Sequence, residues 1–404
     1  MRNRTFAAAL ATALILAAGS LAPAVAQSTF GINFLGEHQF PGSARYRALG
    51  FSSYAVIDTA GAISANPATM ADLTRLTFSL VEILSVTNVR SGSAAAYLSR
   101  FQLPSVMIGV PVRKGLVLGF GYRTAFTGKG DFSFEFPIDS SATAYEVFRH
   151  RSGLFNVPLS LAWRPVSWAR VAGAYQLERG SIEDAYRVEF RRDYYASVES
   201  KRVRSFSGSS FSGSVLLNVY PRLSLGLGWN SGVAYEGDET FRYSRTEFDS
   251  VAAWRFKLPS FWEAGAAFGI TERWWLSAHF WRRSAPETRG FEQLAGSIGQ
   301  ERLAAIGVEK RGGQAGGFFT RIPLRLGFYE NRWHLEYPAG RPVKSRFVTF
   351  GTGFNLPGGP GQIDLSFEIG QIGSVGNNGV DERVFRMAIG LSASETWSRR
   401  RTER

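Results

Sequence analysis

Apolar and polar residues alternate one by one over most of this chain. In QIDLSFEIG, Ile363, Leu365, Phe367 and Ile369 fall on one face, and Gln362, Asp364, Ser366 and Glu368 on the other. LVLGFGYR sets Leu116, Leu118, Phe120 and Tyr122 against Val117, Gly119, Gly121 and Arg123. A period of two is that of a β-strand with two unlike faces. The pattern predicts fourteen strands, near 75–86, 103–112, 115–126, 153–164, 168–180, 208–219, 222–235, 259–270, 273–285, 302–311, 319–329, 346–356, 361–371 and 383–394.

Strands join in pairs across short turns, as in IGVPVRKGLVLGFGY and SLAWRPVSWARVAGAY. Between the pairs lie longer polar or Gly-rich stretches, near 127–151, 181–207, 237–257, 286–301 and 330–345. An even strand count, with short turns alternating with long loops, is what an up-and-down barrel in an outer membrane requires. Trp163 and Trp168 flank one short turn, Tyr220 another, and Trp274 and Trp275 a third, while Trp397 closes the last strand. Aromatics at strand ends form girdles at a membrane interface. A secreted sandwich or propeller would also alternate. The second face, rich in Gly, Ser, Asn and isolated charges, favours a wet or plugged lumen. The expected fold is all-β: a transmembrane antiparallel up-and-down β-barrel of about fourteen strands over residues 75–397.

The N-terminus adds a destination. Arg2 and Arg4 precede an apolar run, Phe6 to Ala18, and Ala24-Val25-Ala26 offers a small-x-small cleavage site. This reads as a signal peptide over 1–26, cleaved on export. No later stretch is apolar for the ~20 residues that a transmembrane helix needs. The expected location is the outer membrane of a Gram-negative-type cell. Cysteine is absent, which removes disulfides, thiol catalysis and thiolate metal sites. Net charge is +13, with local density at Arg191, Arg192, Lys201, Arg202 and Arg204. In an exported protein that balance points away from nucleic acid and toward solvated loops or anionic lipid headgroups, including lipopolysaccharide.

Residues 27–74 do not alternate. Asn66 is a candidate N-cap, with Pro67 at the first helical position and one to two helical turns behind it. A fourteen-stranded barrel is too wide for its own side chains to fill, so this segment is expected to plug the lumen. Here the chain resembles the FadL-type outer-membrane transporters of hydrophobic compounds. The resemblance rests on Asn66-Pro67-Ala68, on its place after RALGFSSYAVIDTAGAIS and before the first strand, on the strand count, and on RIPLRLGFYE, FVTFGTGF and GQIDLSFEIG. It implies passive uptake of hydrophobic small molecules, fatty-acid-like or aromatic, with the N-terminal hatch blocking the direct path. It also implies a lateral exit beside a kinked third strand. Gly119, Gly121 and Phe126 would border that exit, and Asn66–Ala68 would form the hatch wall facing it. Bulk at Gly119 or Gly121 would then block passage in an intact barrel. The alternative is a PorV-like barrel serving protein secretion or envelope assembly, with a secretion-system partner. SRRRTER, residues 398–404, is a departure from barrels that end on an aromatic, and reads as a basic periplasmic tail.

No local pattern suggests an enzyme, a metal site or a cofactor. His38, His150, His279 and His334 fall in separate segments without ligand spacing. Arg123, Glu263, Glu309, Arg325, Asp364, Glu368 and Arg386 all fall on the inward face. Charges in a low-dielectric lumen need partners, so they are expected to form a salt-bridged wall that holds the hatch.

Overall fold

Fourteen antiparallel strands close into a barrel in the computed structural model. It describes residues 28–395 other than 59–60, 64, 93, 138–142, 191–196, 244–248, 288–296, 314–316 and 357–360. The strands are β1 (Leu76–Ser91), β2 (Ala94–Arg113), β3 (Leu116–Pro137), β4 (Thr143–Val166), β5 (Ala169–Phe190) and β6 (Val198–Tyr220). Next come β7 (Leu223–Asn230 and Val233–Tyr243) and β8 (Asp249–Leu258 and Phe261–Gly269), each in two pieces. The wall continues through β9 (Trp274–Arg283), β10 (Glu301–Lys310), β11 (Leu324–Glu336), β12 (Pro342–Asn355), β13 (Gly361–Ser374) and β14 (Val380–Glu395). Each pairs with its sequence neighbours, and β14 closes on β1, with Leu391 opposite Leu80. Signal peptide, Trp397 and basic tail lie outside the described residues.

The wall is far from level. β4 runs for 24 residues, whereas β9 and β10 have ten each. A tilted strand crosses a bilayer in about 9–11 residues, so β3 to β6 stand well clear of it at the end opposite the two termini. The stretches 127–151 and 181–207, expected as loops, are mostly continued strand, with Pro137 still paired to Thr143 and Val188 to Val198. Above the bilayer the outward face no longer needs to be apolar. It carries Asp131, Arg149, Glu183 and Lys201, so composition reads as loop while the ladder persists. Within the bilayer zone the outward face is apolar, with Leu159, Leu227, Ile306, Leu326 and Ile369 all exposed. Trp163, Trp168, Tyr220 and Trp274 are exposed as expected of a girdle. Trp275 is not part of it. As the next residue on a strand it points inward, with the Arg311 guanidinium 4.0 Å from its ring centre.

The described residues of 28–74 fill the lumen. Ser43 caps the helix α1 (Ala44–Ala48) by accepting from Tyr46 N. Asn66 caps the 3-10 segment Pro67–Asp72 by accepting from Ala68 N at 3.0 Å. Leu35, Leu49 and Tyr54 are fully buried against the wall. The plug approaches so closely that a Cβ on Gly327 would lie 2.2 Å from Leu49 C. Glycine there lets plug backbone meet strand backbone.

Candidate functional site: a lumenal cavity and a gap in the wall

The gap begins with two prolines. Pro104 in β2 and Pro158 in β4 have no N–H to give a ladder. Beside Pro104, β2 holds one residue more than β1 between Val81–Ser105 and Ile83–Gln102. Opposite Pro158, the β3–β4 ladder skips Gly121 and Tyr122, and a bulge follows at Ala125. Bulges bend the strand that carries them. The result is that β2 and β3 pair only from Arg113–Leu116 to Ser105–Arg123. Beyond that rung β2 stays with β1 up to Ala94, while β3 stays with β4. The edge that β3 loses is taken from inside by the plug: Glu37 pairs with Thr127, His38 with Phe126, and Gln39 N donates to Ala125 O at 2.8 Å.

A cavity occupies the gap. Its lining mixes wall residues from both sides of the sheet, among them Leu103, Tyr122 and Phe155 with Arg100, Phe126 and Leu154. A lining drawn from both faces of a sheet is what an opening through it requires. A second cavity lies inside the lumen, bounded by His38, Tyr54, Pro67, Arg123, Glu178, Glu263 and Arg283. Thr124, Phe126 and Leu154 line both cavities. Phe126 therefore stands between them, 2% exposed, with the His38 ring stacked at 4.7 Å.

Above the plug the inward positions are aromatic. Phe206, Tyr235, Trp254 and Phe256 pack together with ring centres 4.6–5.4 Å apart. Phe34 from the plug reaches Phe256 at 6.0 Å. Higher still, Phe132 pairs with Phe148, Phe148 with Tyr186, and Phe136 with Ala144, which faces Phe190. Directly opposed residues share a face, and this face continues that of Phe126 and Leu154. The phenylalanines of 127–151, Phe132, Phe134, Phe136 and Phe148, are thus sorted onto the inner side of the tall wall. An average over that segment hides them.

The inward charges divide into two groups. Glu309 takes Arg45 at 2.7 Å and Arg325 at 3.0 Å, and Arg325 reaches Asp364 at 2.6 Å. Glu368, fully buried, takes Arg47 at 3.0 Å and Tyr329 at 2.9 Å, with Arg386 at 3.8 Å. Arg386 also binds Glu37. Of these wall residues on β10 to β14, Glu309, Glu368 and Arg386 meet plug residues 37–47 directly, and Arg325 links Glu309 to Asp364 behind them. Farther round, Ser28 and Thr29 donate to Glu382, and His38 meets Glu301 at 2.8 Å. At the base Asp72 is held by Arg164 and Arg170.

Glu263 and Arg123 belong to the cavity instead. Glu263 meets His279 Nε2 at 3.2 Å. Arg123 is 8% exposed, its Nε lacks an acceptor, and no carboxylate among the described residues lies within 4.0 Å of it. Arg100 is similar: its NH2 group donates to Thr127 Oγ1 at 2.9 Å across the gap, and NH1 has no acceptor. Sequence reading missed Arg100, because only the loss of β2–β3 pairing brings it to the opening. His150 bonds Asp184 and Ser152, and His334 packs against Phe126. Among the described residues no cluster could hold a metal ion.

Three sequence expectations need correction. Asn66 and Ala68 do not face β3: Ala68 N donates to Ser214 Oγ, and Asn66 Nδ2 lies 3.4 Å from Val215 O, both on β6. Met70, one helical turn on, is what meets Gly119. Gly121 has no room for bulk, since a Cβ there would sit 2.1 Å from Val106 O; a large residue would break the last β2–β3 rungs. Third, Arg202 and Arg204 are not a lipid contact. Alternation turns them inward to Glu239.

Comparison with known proteins fits this geometry. A Pseudomonas aeruginosa FadL homologue aligns with a TM-score of 0.65 at 9% identity, over 89% of this chain and 99% of its own. The Ralstonia pickettii toluene transporter TbuX aligns at 0.59 and 12% identity, over 88% and 99%. The Pseudomonas putida toluene transporter TodX aligns at 0.58 and 13% identity, over 89% and 100%. The chain has the FadL-type fold. Its N-terminal plug and fourteen-stranded wall are those of that fold. A family model named BamG matches residues 230–402. No curated protein matches the chain.

Proposed function

We propose that this FadL-type barrel is a passive outer-membrane channel that admits hydrophobic small molecules and releases them sideways through the wall. The observation that carries the reading is the unpaired stretch of β2 and β3 beyond Ser105–Arg123, with a cavity in it that shares Thr124, Phe126 and Leu154 with the lumen. The inner aromatic face of the tall wall supplies an apolar approach to it. The transporters of like fold, TbuX and TodX, are toluene transporters. Arg123 and Arg100 tilt the substrate toward a fatty-acid-like molecule. A buried guanidinium without a carboxylate is costly, and a substrate carboxylate would satisfy it by a charge-assisted bond.

Gly153 gives the test. It lines the gap, and a Cβ there would meet nothing within 4 Å. Gly153→Trp should keep heat-modifiable migration and cut uptake of a radiolabelled long-chain carboxylate at least tenfold in proteoliposomes. Unchanged uptake by the folded variant sinks the lateral route. A second reading, a barrel serving protein secretion or envelope assembly, rests on the BamG match. A stoichiometric protein partner recovered from native membranes, with no hydrophobic ligand bound, would favour it.

A further inference from the structure

The outer surface of the low wall carries one row of unusual composition. Trp229 faces Trp262, Trp262 faces Arg282, Arg282 faces Arg302, Arg302 faces Arg332, and Arg332 faces Lys344. All lie on one face of adjacent strands, the outward one. The two tryptophans are about half exposed, at 53% and 47%. Outward tryptophans mark headgroup level. Two outward positions nearer the middle of the bilayer, past the row of Glu330, Arg346 and Arg383, the outward residues are apolar, with Phe328, Val348, Ile369 and Phe385 exposed. The cations therefore stand at the outer rim of the apolar belt.

Like charges directly opposed across strands destabilise a sheet, and here four cations stand side by side. Arg346 and Arg383 lie just below. Their protein partners are few. Glu336 takes Arg332 at 2.7 Å, and Glu330 takes Arg346 at 2.7 Å with Arg302 at 4.0 Å. Among the described residues Arg282 reaches only the Gln300 amide oxygen, at 3.1 Å. Lys344 and Arg383 have no hydrogen bond or ion pair among the described residues. Among the described residues, six cations thus share two carboxylates. The tall wall shows that this is not how the chain treats outward charge elsewhere: Asp131 offsets Arg149, Glu183 offsets Lys201, and Glu236 offsets Arg255. A cavity also opens beside the unpaired ammonium, lined by Lys344, Arg346, Gln371, Ser374 and Asn377.

We infer that the rim of β9 to β13 binds the phosphorylated headgroup of an outer-leaflet glycolipid, with its phosphate in the cavity between Lys344 and Arg346 and its acyl chains along the apolar belt below. Charge, height and the cavity point to the same occupant, since a free anion would gain nothing from the belt. The inference does not depend on what the lumen transports.

The test uses the purified full chain in neutral detergent and native mass spectrometry. The probes are a bis-phosphorylated acylated glucosamine disaccharide and its dephosphorylated form. The wild type should bind the first and not the second. Lys344→Gln with Arg346→Gln should weaken binding about 30-fold, at the usual contribution of a surface cation. Arg149→Gln with Lys201→Gln on the tall wall should not change it. If the first pair fails to fold, Arg302→Gln with Arg383→Gln replaces it, with the same direction of loss expected. Equal binding of both lipids, or undiminished binding by the folded rim variant, overturns the inference. So does full displacement of the lipid by equimolar inorganic phosphate, which would make this a site for a free anion.

Discussion

The plug touches two unlike halves of the barrel. Toward β10–β14 it is held by buried ions: Arg45 and Arg47 reach across to Glu309 and Glu368, and Glu37 reaches to Arg386. Toward β3–β8 it meets aromatic rings, a cavity and an unpaired strand edge. Buried ion pairs fix geometry, because removing either partner leaves a charge stranded. Apolar contacts and open space leave room for a guest. One half of the circumference holds the plug, and the other carries the cavities. The exception is Asp72, tied to Arg164 and Arg170 at the base beneath the cavity.

The contrast can be broken from the holding side with the largest effect. Glu368→Ala strands Arg47 and takes the acceptor from the Tyr329 hydroxyl, while Arg386 keeps Glu37, and should cost about 3–5 kcal/mol. The temperature at which the folded gel band disappears should drop, and the plug should become open to protease. A smaller and more selective effect is expected on the other side. Arg123→Gln should lower uptake of a long-chain carboxylate about tenfold, the worth of one charged hydrogen bond, and leave a neutral aromatic unaffected. Equal losses for both would remove Arg123 from substrate contact. Phe134→Ser with Phe136→Ser, high on the inner aromatic face, should raise the half-saturating substrate concentration only a few-fold, since these rings are half exposed. The smallest change belongs to the outward ladder. Asp131→Asn loses an exposed pair with Arg149 and should alter stability by less than about 1 kcal/mol.

Fourteen strands were legible because burial on one side and lipid on the other write a period of two into the residues. The same code failed above the bilayer. There the outward face meets water, so Asp131 and Arg149 look like loop residues although they are paired strand. The inward faces of Arg325, Asp364 and Glu368 were legible from the same alternation. Their partners were not, because Arg45 and Arg47 sit in a segment without periodicity. The opening was least legible. It depends on Pro104 and Pro158 acting on two different strands, and on a one-residue surplus in β2 that appears only once the strands are in register.

The ion pairs that hold the plug also impose an order in time. Ser28 bonds Glu382, 354 residues away, and Arg47 bonds Glu368, 321 residues away. Contacts this distant in sequence form slowly. The plug residues, made first, must therefore wait, unsatisfied, for the last five strands. Until then Arg47 has no acceptor, Arg45 has only Asp58 of the plug among the described residues, and the nascent wall has no filling. Newly made chain is thus most exposed to proteases in its plug segment, and the step that shelters it is the joining of β14 to β1.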